Sequence, residues 1–437
     1  MIEAANVQLR DVYIVDGART PFLKMKGKPG EFSASDLAVY AGRELIEKYT
    51  FSPSQFDEVV IGCVMPSPEE ANIGRVIALR LGCGKSMPAW TVQRNCASGL
   101  QALDSAAKDI AMGRHDLVLA GGTEAMSRAP LLYNEDMINW KASIMNAKGW
   151  KNKLRAYTKF RPYYFTQPVI ALLKGLTDFS INLNMGQTAE NLAYRFQISR
   201  NEMDQFSLNS HERVAQAQTN HYFPEINTLY GKNNDFILED DGVRKDTSLQ
   251  KLANLKPFFD KKFGQVTAGN SSQISDGAAL LILASEAAVQ KYNLPVLAKI
   301  IDVSWAGVEP VDMGLGPVHA VAKLFKQHEL SMSDIDYWEI NEAFAAQVLA
   351  CLEAFDSEEY CRQHFGFDKA IGKIDTAKLN VDGGAIAIGH PVGASGARIV
   401  LHLAEVLRRN KAKKGMAAIC IGGGQGGAML IENMQEG

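Results

Sequence analysis

Short apolar runs alternate with helically spaced segments along most of the chain. Val12-Tyr13-Ile14-Val15 ends at Asp16-Gly17 and predicts a strand. The spacing predicts a helix over Asp36–Tyr49, with Ser35 or Asp36 as its cap. A second strand is predicted over Val59–Val64. An alanine-rich helix over Cys96–Met112 leads into a strand over Leu117–Ala120. The second half predicts a strand over Val296–Val303, a helix over Val318–His328 and a strand over Tyr337–Ile340. A helix over Ser395–Arg409 and a strand over Met416–Ile421 follow. Alternation of this kind predicts an α/β fold, with sheets layered between helices.

The pattern repeats itself. Ala97-Ser98-Gly99 matches Ala394-Ser395-Gly396 at an offset of 297. Leu117–Gly122 matches Ala417–Gly423 at an offset of about 300, and Phe56–Gly62 resembles Ile335–Asn341 at 279. Three echoes in one order point to an internal duplication, with loop insertions shifting the offset. The region between the halves lacks an echo. From Arg128 to Lys174 it holds nine Lys or Arg against Glu135 and Asp136. Trp140, Trp150, Tyr157, Phe160, Tyr163, Tyr164 and Phe165 are interleaved with them. The division this suggests is a first core over residues 1–126, an inserted domain over 127–272, a return segment over 273–295 and a second core over 296–437.

A length of 437 residues predicts two or three domains. Apolar residues make up 46% and charged residues 22%, as in globular proteins. A net charge of −3 gives no general attraction to nucleic acid. Residues 1–11 carry acids and no apolar core, so a secretory leader is not expected, and no run reaches the length of a membrane span. The six cysteines form no Cys-x-x-Cys pair and fit free thiols in a reducing compartment, for which the cytoplasm is expected.

Four motifs can carry chemistry. Cys96 falls where a strand meets a helix N-terminus, a setting that favours a thiolate and offers N–H groups to an oxyanion. A small buried structural cysteine would look the same. His390 occupies the matching turn of the second half, between Gly389 and Pro391, and could take a proton from a thiol. A histidine satisfied by hydrogen bonds at a tight turn fits equally. Cys420 ends an apolar strand, where it could shuttle a proton or simply fill the core. The following glycines formally fit G-x-G-x-x-G. No helix follows them, so they read instead as backbone N–H groups approaching a ligand. Asn341 follows the Tyr337–Ile340 strand, as an N-cap or as the holder of a water in an oxyanion site.

Together these motifs resemble the thiolase family. The resemblance rests on Asn95-Cys96-Ala97-Ser98-Gly99, Asn341-Glu342-Ala343-Phe344-Ala345, Gly383–Pro391 and Cys420-Ile421-Gly422-Gly423-Gly424, with Thr267–Asn270 and Met185-Gly186 in support. It implies two βαβαβαββ halves in an αβαβα layering, with a loop domain inserted in the first. It further implies that Cys96 is acylated, that His390 activates it, and that Asn341 positions a water in the oxyanion hole with His390. Cys420 would be the acid/base at the substrate α-carbon, and the N–H groups of Cys96 and Gly422 would hold the acyl oxyanion. Met185 and Ser272 would line the coenzyme A channel, with Ala343 and Phe344 beside it. The implied reaction is reversible condensation of acetyl-CoA, or thiolysis of 3-ketoacyl-CoA. Coenzyme A and acyl-CoA are its substrates, with no permanently bound cofactor and no metal. A homodimer or homotetramer is implied as well.

Two departures bear on subtype. Asn184 and Gln273 stand where many short-chain biosynthetic members have His and Gly. The basic aromatic insert resembles thiolase subunits of fatty-acid oxidation complexes, which commonly carry His in place of Asn341. This raises an oxidation-complex partner or a membrane surface as a contact for residues 128–174. A 3-ketoacyl synthase acting on carrier-protein thioesters is a further reading of the fold.

Overall fold

A computed structural model describes residues 9–231 and 235–434. The reading of residues 1–11 as no leader falls mostly outside them. Nine strands build one mixed sheet: β1 (Val12–Arg19), β2 (Glu58–Gly62), β3 (Ala89–Val92), β4 (Leu117–Ala125), β5 (Ser275–Ala284), β6 (Ala298–Gly307), β7 (Tyr337–Ile340), β8 (Lys414–Ile421) and β9 (Gln425–Asn433). Their order is β7-β8-β9-β6-β1-β5-β4-β2-β3, and a short strand, Leu23–Lys24, pairs with the start of β5.

The duplication is visible in this order. The run β2-β4-β5-β1 has the same sequence of parallel and antiparallel pairings as β7-β8-β9-β6. The outer strand β3 lies parallel to β2, and its counterpart is reduced to a single parallel bridge between Trp338 and Leu379. The halves join where β1 and β6 pair antiparallel over Val12–Ile14.

Period-two alternation decides the layers. Val59, Ile61, Leu117, Leu119, Leu280 and Ile282 face an outer core with α1 (Ala34–Glu47) and α2 (Ile73–Arg80). Their alternates Val60, Val118, Ala120, Leu281 and Leu283 face an inner core. That core holds α3 (Ser98–Ala111) and the helix Val392–Asn410, and also receives Ala417, Ile419 and Ile421 of β8. Met416, Ala418 and Cys420 face the second outer core, against helices Gly316–Gln327 and Ala345–Asp356. Five layers, αβαβα, result. With both sheet faces covered, the strands read in sequence as continuous apolar runs.

The echoed small residues have a packing cause. α3 and the Val392–Asn410 helix cross in the central layer. A Cβ on Gly99 would stand 2.8 Å from the Gly393 carbonyl, and one on Gly396 would stand 2.6 Å from the Leu100 nitrogen. Only small residues allow this approach, and it brings the two helix starts together.

The residues between β4 and β5 fold as α4 (Glu135–Asn146), α5 (Trp150–Tyr157), α6 (Met185–Arg195) and α7 (Arg200–Thr219), with shorter elements. Trp140 gathers Tyr157, Phe160 and Tyr164 into an aromatic cluster, with centroids 5.1–6.3 Å away. Ala189, Leu192 and Met203 of α6 and α7 pack into the outer core of the second half. Among the described residues no helix is long and apolar enough to cross a membrane.

Every predicted element is present, with ends shifted by up to five residues, as where the Leu117 strand runs on to Ala125; two helix starts have a specific cause. Ser33 caps α1, and Asp36 completes a capping box at its third position, so neither Ser35 nor Asp36 is the cap. α3 starts at Ser98 rather than Cys96, because Asn95 turns the chain in the left-handed region at φ +45.

Candidate active site

Cys96 lies on a strained turn between β3 and α3. Asn95 is left-handed there, a conformation Asn tolerates better than most residues. Ser98 Oγ accepts from the Arg94 N–H at 2.9 Å and donates to the Asn95 carbonyl at 2.7 Å, which fixes the turn. Of the six cysteines, Cys96 alone is partly exposed.

Burial pushes the Cys96 thiol up to about 11, and the N–H groups of Gly422 and of Cys96 itself, directed at the sulfur, only partly oppose this. With burial the larger effect, a base is needed to draw the proton from the thiol. The same two N–H groups are the pair expected to hold an acyl oxyanion. Asn95 Nδ2 donates to the Gly422 carbonyl at 2.8 Å and ties this peptide to the Cys96 turn.

Gly422 opens the hairpin turn between β8 and β9, where Gly423 and Gly424 have positive φ. The glycine run is thus a tight turn bearing a directed N–H. Cys420, two residues earlier, is buried, and burial followed by the neighbouring Cys96 pushes its thiol well above the ordinary value.

His390 enters from the second half. Gly389 adopts φ +102, and a Cβ there would meet Ser275 Oγ at 2.0 Å, so this close approach requires glycine. The His390 N–H donates to the Gln273 carbonyl at 3.0 Å. Its ring is buried, and that burial, with the Arg398 charge, pushes it down to about 3. Nδ1 contacts Ser395 Oγ at 2.6 Å, whereas Nε2 is buried and without a hydrogen-bond partner among the described residues.

Asn341 is fully buried and does not cap a helix; Phe344 holds that position before Ala345–Asp356. Asn341 Nδ2 lies 3.5 Å from His390 Nδ1, and its Oδ1 is unpartnered. Asn341 Oδ1, His390 Nε2 and Gln273 Oε1, all buried and without partners among the described residues, leave hydrogen-bonding capacity in one loop cluster for a substrate or a water.

The remaining predicted residues lie close by. Met185 begins α6, with its Sδ 3.2 Å from where a Cβ on Gly422 would be. The Ser272 N–H donates to the Ala343 carbonyl at 2.9 Å, and Phe344 packs against Phe259 with centroids 5.8 Å apart. The loop carrying Ser272 therefore touches both the Asn341–Phe344 segment and, through Gln273, His390. Glu342 secures the cluster from beneath, accepting from Ser210 Oγ at 2.7 Å, Asn380 Nδ2 at 2.9 Å and the Ile386 N–H at 3.2 Å. The group of His and carboxylate side chains close enough to share an ion, Glu58, Asp109 and His115, contains none of the predicted site residues.

Sequence reasoning did not single out Asn95 or Ser395. Asn95 carries a signal, since Asn before a reactive residue at a strand–helix junction suits a left-handed turn. Ser395 carries none, because an alanine–serine–glycine run reads only as helix packing.

The site thus joins a thiol, two directed N–H groups, a neutral imidazole and a second thiol. The family model "Thiolase, N-terminal domain" matches residues 12–287, and "Thiolase, C-terminal domain" matches 294–433. The chain is 39% identical over 432 residues to the mitochondrial 3-ketoacyl-CoA thiolase of Bos taurus, covering 97% of this chain and 99% of that one. The crystal structure of human mitochondrial 3-ketoacyl-CoA thiolase in complex with CoA superposes with a TM-score of 0.83 at 36% identity, covering 98% of this chain and 99% of that one. The Bacillus anthracis acetyl-CoA acetyltransferase gives a TM-score of 0.83 at 34% identity, covering 98% and 100%. Two matched family models over nearly the whole length, on a site of this chemistry, establish that the chain belongs to the thiolase family of acyltransferases.

Proposed function

We propose that the protein cleaves 3-ketoacyl-CoA with coenzyme A, through an acyl group carried on Cys96. The observation that carries this is the unpartnered, buried Nε2 of His390, two residues before Val392, which packs with Cys96 in one apolar cluster. His390 Nε2 takes the thiol proton, and the sulfur attacks the ketone carbon. The resulting oxyanion meets the N–H groups of Cys96 and Gly422. The bond between the ketone carbon and the α-carbon then breaks. Its electron pair enters the enolate of acetyl-CoA, whose oxygen faces His390 and a water on Asn341. Cys420 protonates the α-carbon. Coenzyme A then gives its thiol proton to the Cys420 thiolate as it attacks the acyl–sulfur carbonyl, and Cys96 leaves as a thiolate that takes back the proton held on His390 Nε2. Covalent catalysis splits one difficult step into two, and no resident metal enters the scheme.

The test is consumption of acetoacetyl-CoA in the presence of coenzyme A. Cys96→Ala is expected to abolish it, and undiminished turnover would refute the scheme. Chain-length preference follows from relative kcat/KM for short- and long-chain 3-ketoacyl-CoA. Light scattering tests the proposed homodimer or homotetramer.

A second reading concerns the insert, which we propose docks on an anionic membrane surface. Trp150, Leu154 and Tyr157 recur at helical spacing on α5 and are 72%, 58% and 54% exposed. Lys151, Lys153 and Arg155 are exposed on the same helix, and Ile138 and Met145 are exposed on α4. Exposed aromatics flanked by basic residues fit an interfacial helix. Sedimentation with vesicles containing anionic lipid should capture the protein, and Trp150→Glu with Leu154→Glu should release it. Equal binding to neutral vesicles would contradict the charge argument. Capture of an oxidation-complex subunit in place of lipid would favour a protein partner.

A further inference from the structure

Glu124 takes no part in the scheme above, yet it is fully buried near the end of β4. Its Oε2 accepts from the Val64 N–H at 2.9 Å and the Gly393 N–H at 3.1 Å. Its Oε1 accepts from the Met65 N–H at 3.0 Å and the Cys63 thiol at 3.6 Å. Every neighbour is a donor.

The donors belong to the two segments that wall Cys96. Cys96 packs in a small apolar cluster with Val64, Met65 and Val392. Gly393 follows Val392 in the first turn of the helix that starts just after His390. The carboxylate therefore bridges the loop after β2 to the segment that presents the imidazole. Close packing leaves little tolerance. A Cβ on Gly393 would stand 2.8 Å from Glu124 Oε2 and 2.3 Å from the Thr123 carbonyl.

We infer that Glu124 is a positioning residue for the reaction: its carboxylate clamps the first turn of the His390 helix to residues 63–65 and so sets how the imidazole meets Cys96. Glutamine cannot replace it. One of its two ends is an NH2 group, so either Val64 and Gly393 or Met65 and Cys63 would face a donor. A shorter aspartate cannot reach both sets. Burial raises the Glu124 carboxyl to about 7, against the Val64, Met65 and Gly393 N–H groups and the Cys63 thiol, which favour its charge.

The inference rests on the Cys96 and His390 reading, and Cys96→Ala separates the two. Turnover that survives Cys96→Ala removes the reading itself. With Cys96→Ala inactive, Glu124→Gln tests the clamp. Nothing shows Glu124 at the coenzyme A channel, so KM for both substrates should stay within about twofold. The kcat should fall by roughly ten- to a hundredfold, as for other residues that orient a reacting group. Melting and circular dichroism establish that the variant is folded. Glu124→Asp serves if the glutamine variant does not fold, with the same split expected. Unchanged kcat in either folded variant, or a loss confined to KM, overturns the inference. Failure of both variants to fold also overturns it and marks Glu124 as a determinant of the fold alone.

Discussion

His390 Nδ1 lies 2.6 Å from Ser395 Oγ, and that hydroxyl also contacts the Pro391 carbonyl at 3.0 Å. With the hydroxyl proton given to the Pro391 carbonyl, Nδ1 supplies the proton of the shorter bond and Nε2 is the bare nitrogen; with that proton given to Nδ1, which Asn341 Nδ2 also faces at 3.5 Å, the order is reversed. The first arrangement is the tautomer a general base at Nε2 requires, and Ser395 is the residue that selects between them.

Ser395→Ala should therefore weaken catalysis without emptying the site. Loss of one hydrogen bond to a buried polar atom is worth about 1–2 kcal/mol, or roughly five- to thirtyfold. The effect is expected on kcat for thiolysis, with KM for coenzyme A little changed. Ser395→Thr keeps a hydroxyl and should recover part of the loss if the larger side chain fits. An alanine variant with full kcat would show that the tautomer is set by other means.

Alkylation of Cys96 by iodoacetamide should follow its thiolate. Burial holds the thiol at about 11, so the rate is expected to climb about tenfold per pH unit from pH 7 to about 10. His390, pushed down to about 3, is neutral throughout that range and should leave no inflection near pH 6.5. A plateau beginning below pH 8 would show that the N–H groups outweigh burial and that the resting residue is a thiolate.

Asn95 has two functions that substitutions separate. It tolerates a left-handed φ of +45, and its Nδ2 holds the Gly422 carbonyl. Asn95→Gly keeps the backbone conformation and loses the tie; Asn95→Ala loses both, with about 1 kcal/mol of added strain. Both should slow acylation of Cys96 in a single-turnover assay. Alanine should also lower the melting temperature more than glycine. Equal acylation rates in the wild type and Asn95→Gly would show that Gly422 needs no brace.

These predictions also mark what the sequence could reveal. The strands were legible because each is apolar on both faces, as in Leu117–Ala120. The joined turns were legible because Ala97-Ser98-Gly99 and Ala394-Ser395-Gly396 must both be small for their helices to touch. Glu124 was not, since its partners are supplied by other turns, and Ser395 was not, since its run of small residues reads only as helix packing. The hydrogen bond from Gly393 to Glu124 spans 269 positions. The burial around Cys96 was hidden for a related reason: local sequence shows the helix start that favours a thiolate, but not the packing that pushes the thiol up.

Stability depends on a buried ion cluster on the same helix that starts just after His390. His402 is buried between Glu225 Oε1, 3.0 Å from Nδ1, and Asp382 Oδ2, 3.1 Å from Nε2. Both partners accept, so both ring nitrogens carry protons and the ring is a cation. Burial opposes that charge, but Glu225 and Asp382 outweigh it and hold His402 up at about 10. Glu225 is in turn drawn down to about 2 despite its burial, by His402 and then Arg19. With an unfolded value of about 6.5, the His402 contribution is full below that pH and is lost as pH rises through about 10. The Glu225 contribution is full above about pH 4.3 and is lost as pH falls toward about 2. His402→Gln should cost about 3–5 kcal/mol near pH 6, the range for breaking a buried pair, and less as pH approaches 10. Buried carboxyls such as Glu339, raised to about 7, add their own pH dependence at lower pH. The measurement is therefore the difference in melting temperature between wild type and His402→Gln from pH 7.5 to 10. The gap should narrow steadily across that range. A constant gap would mean that His402 is neutral in the folded protein.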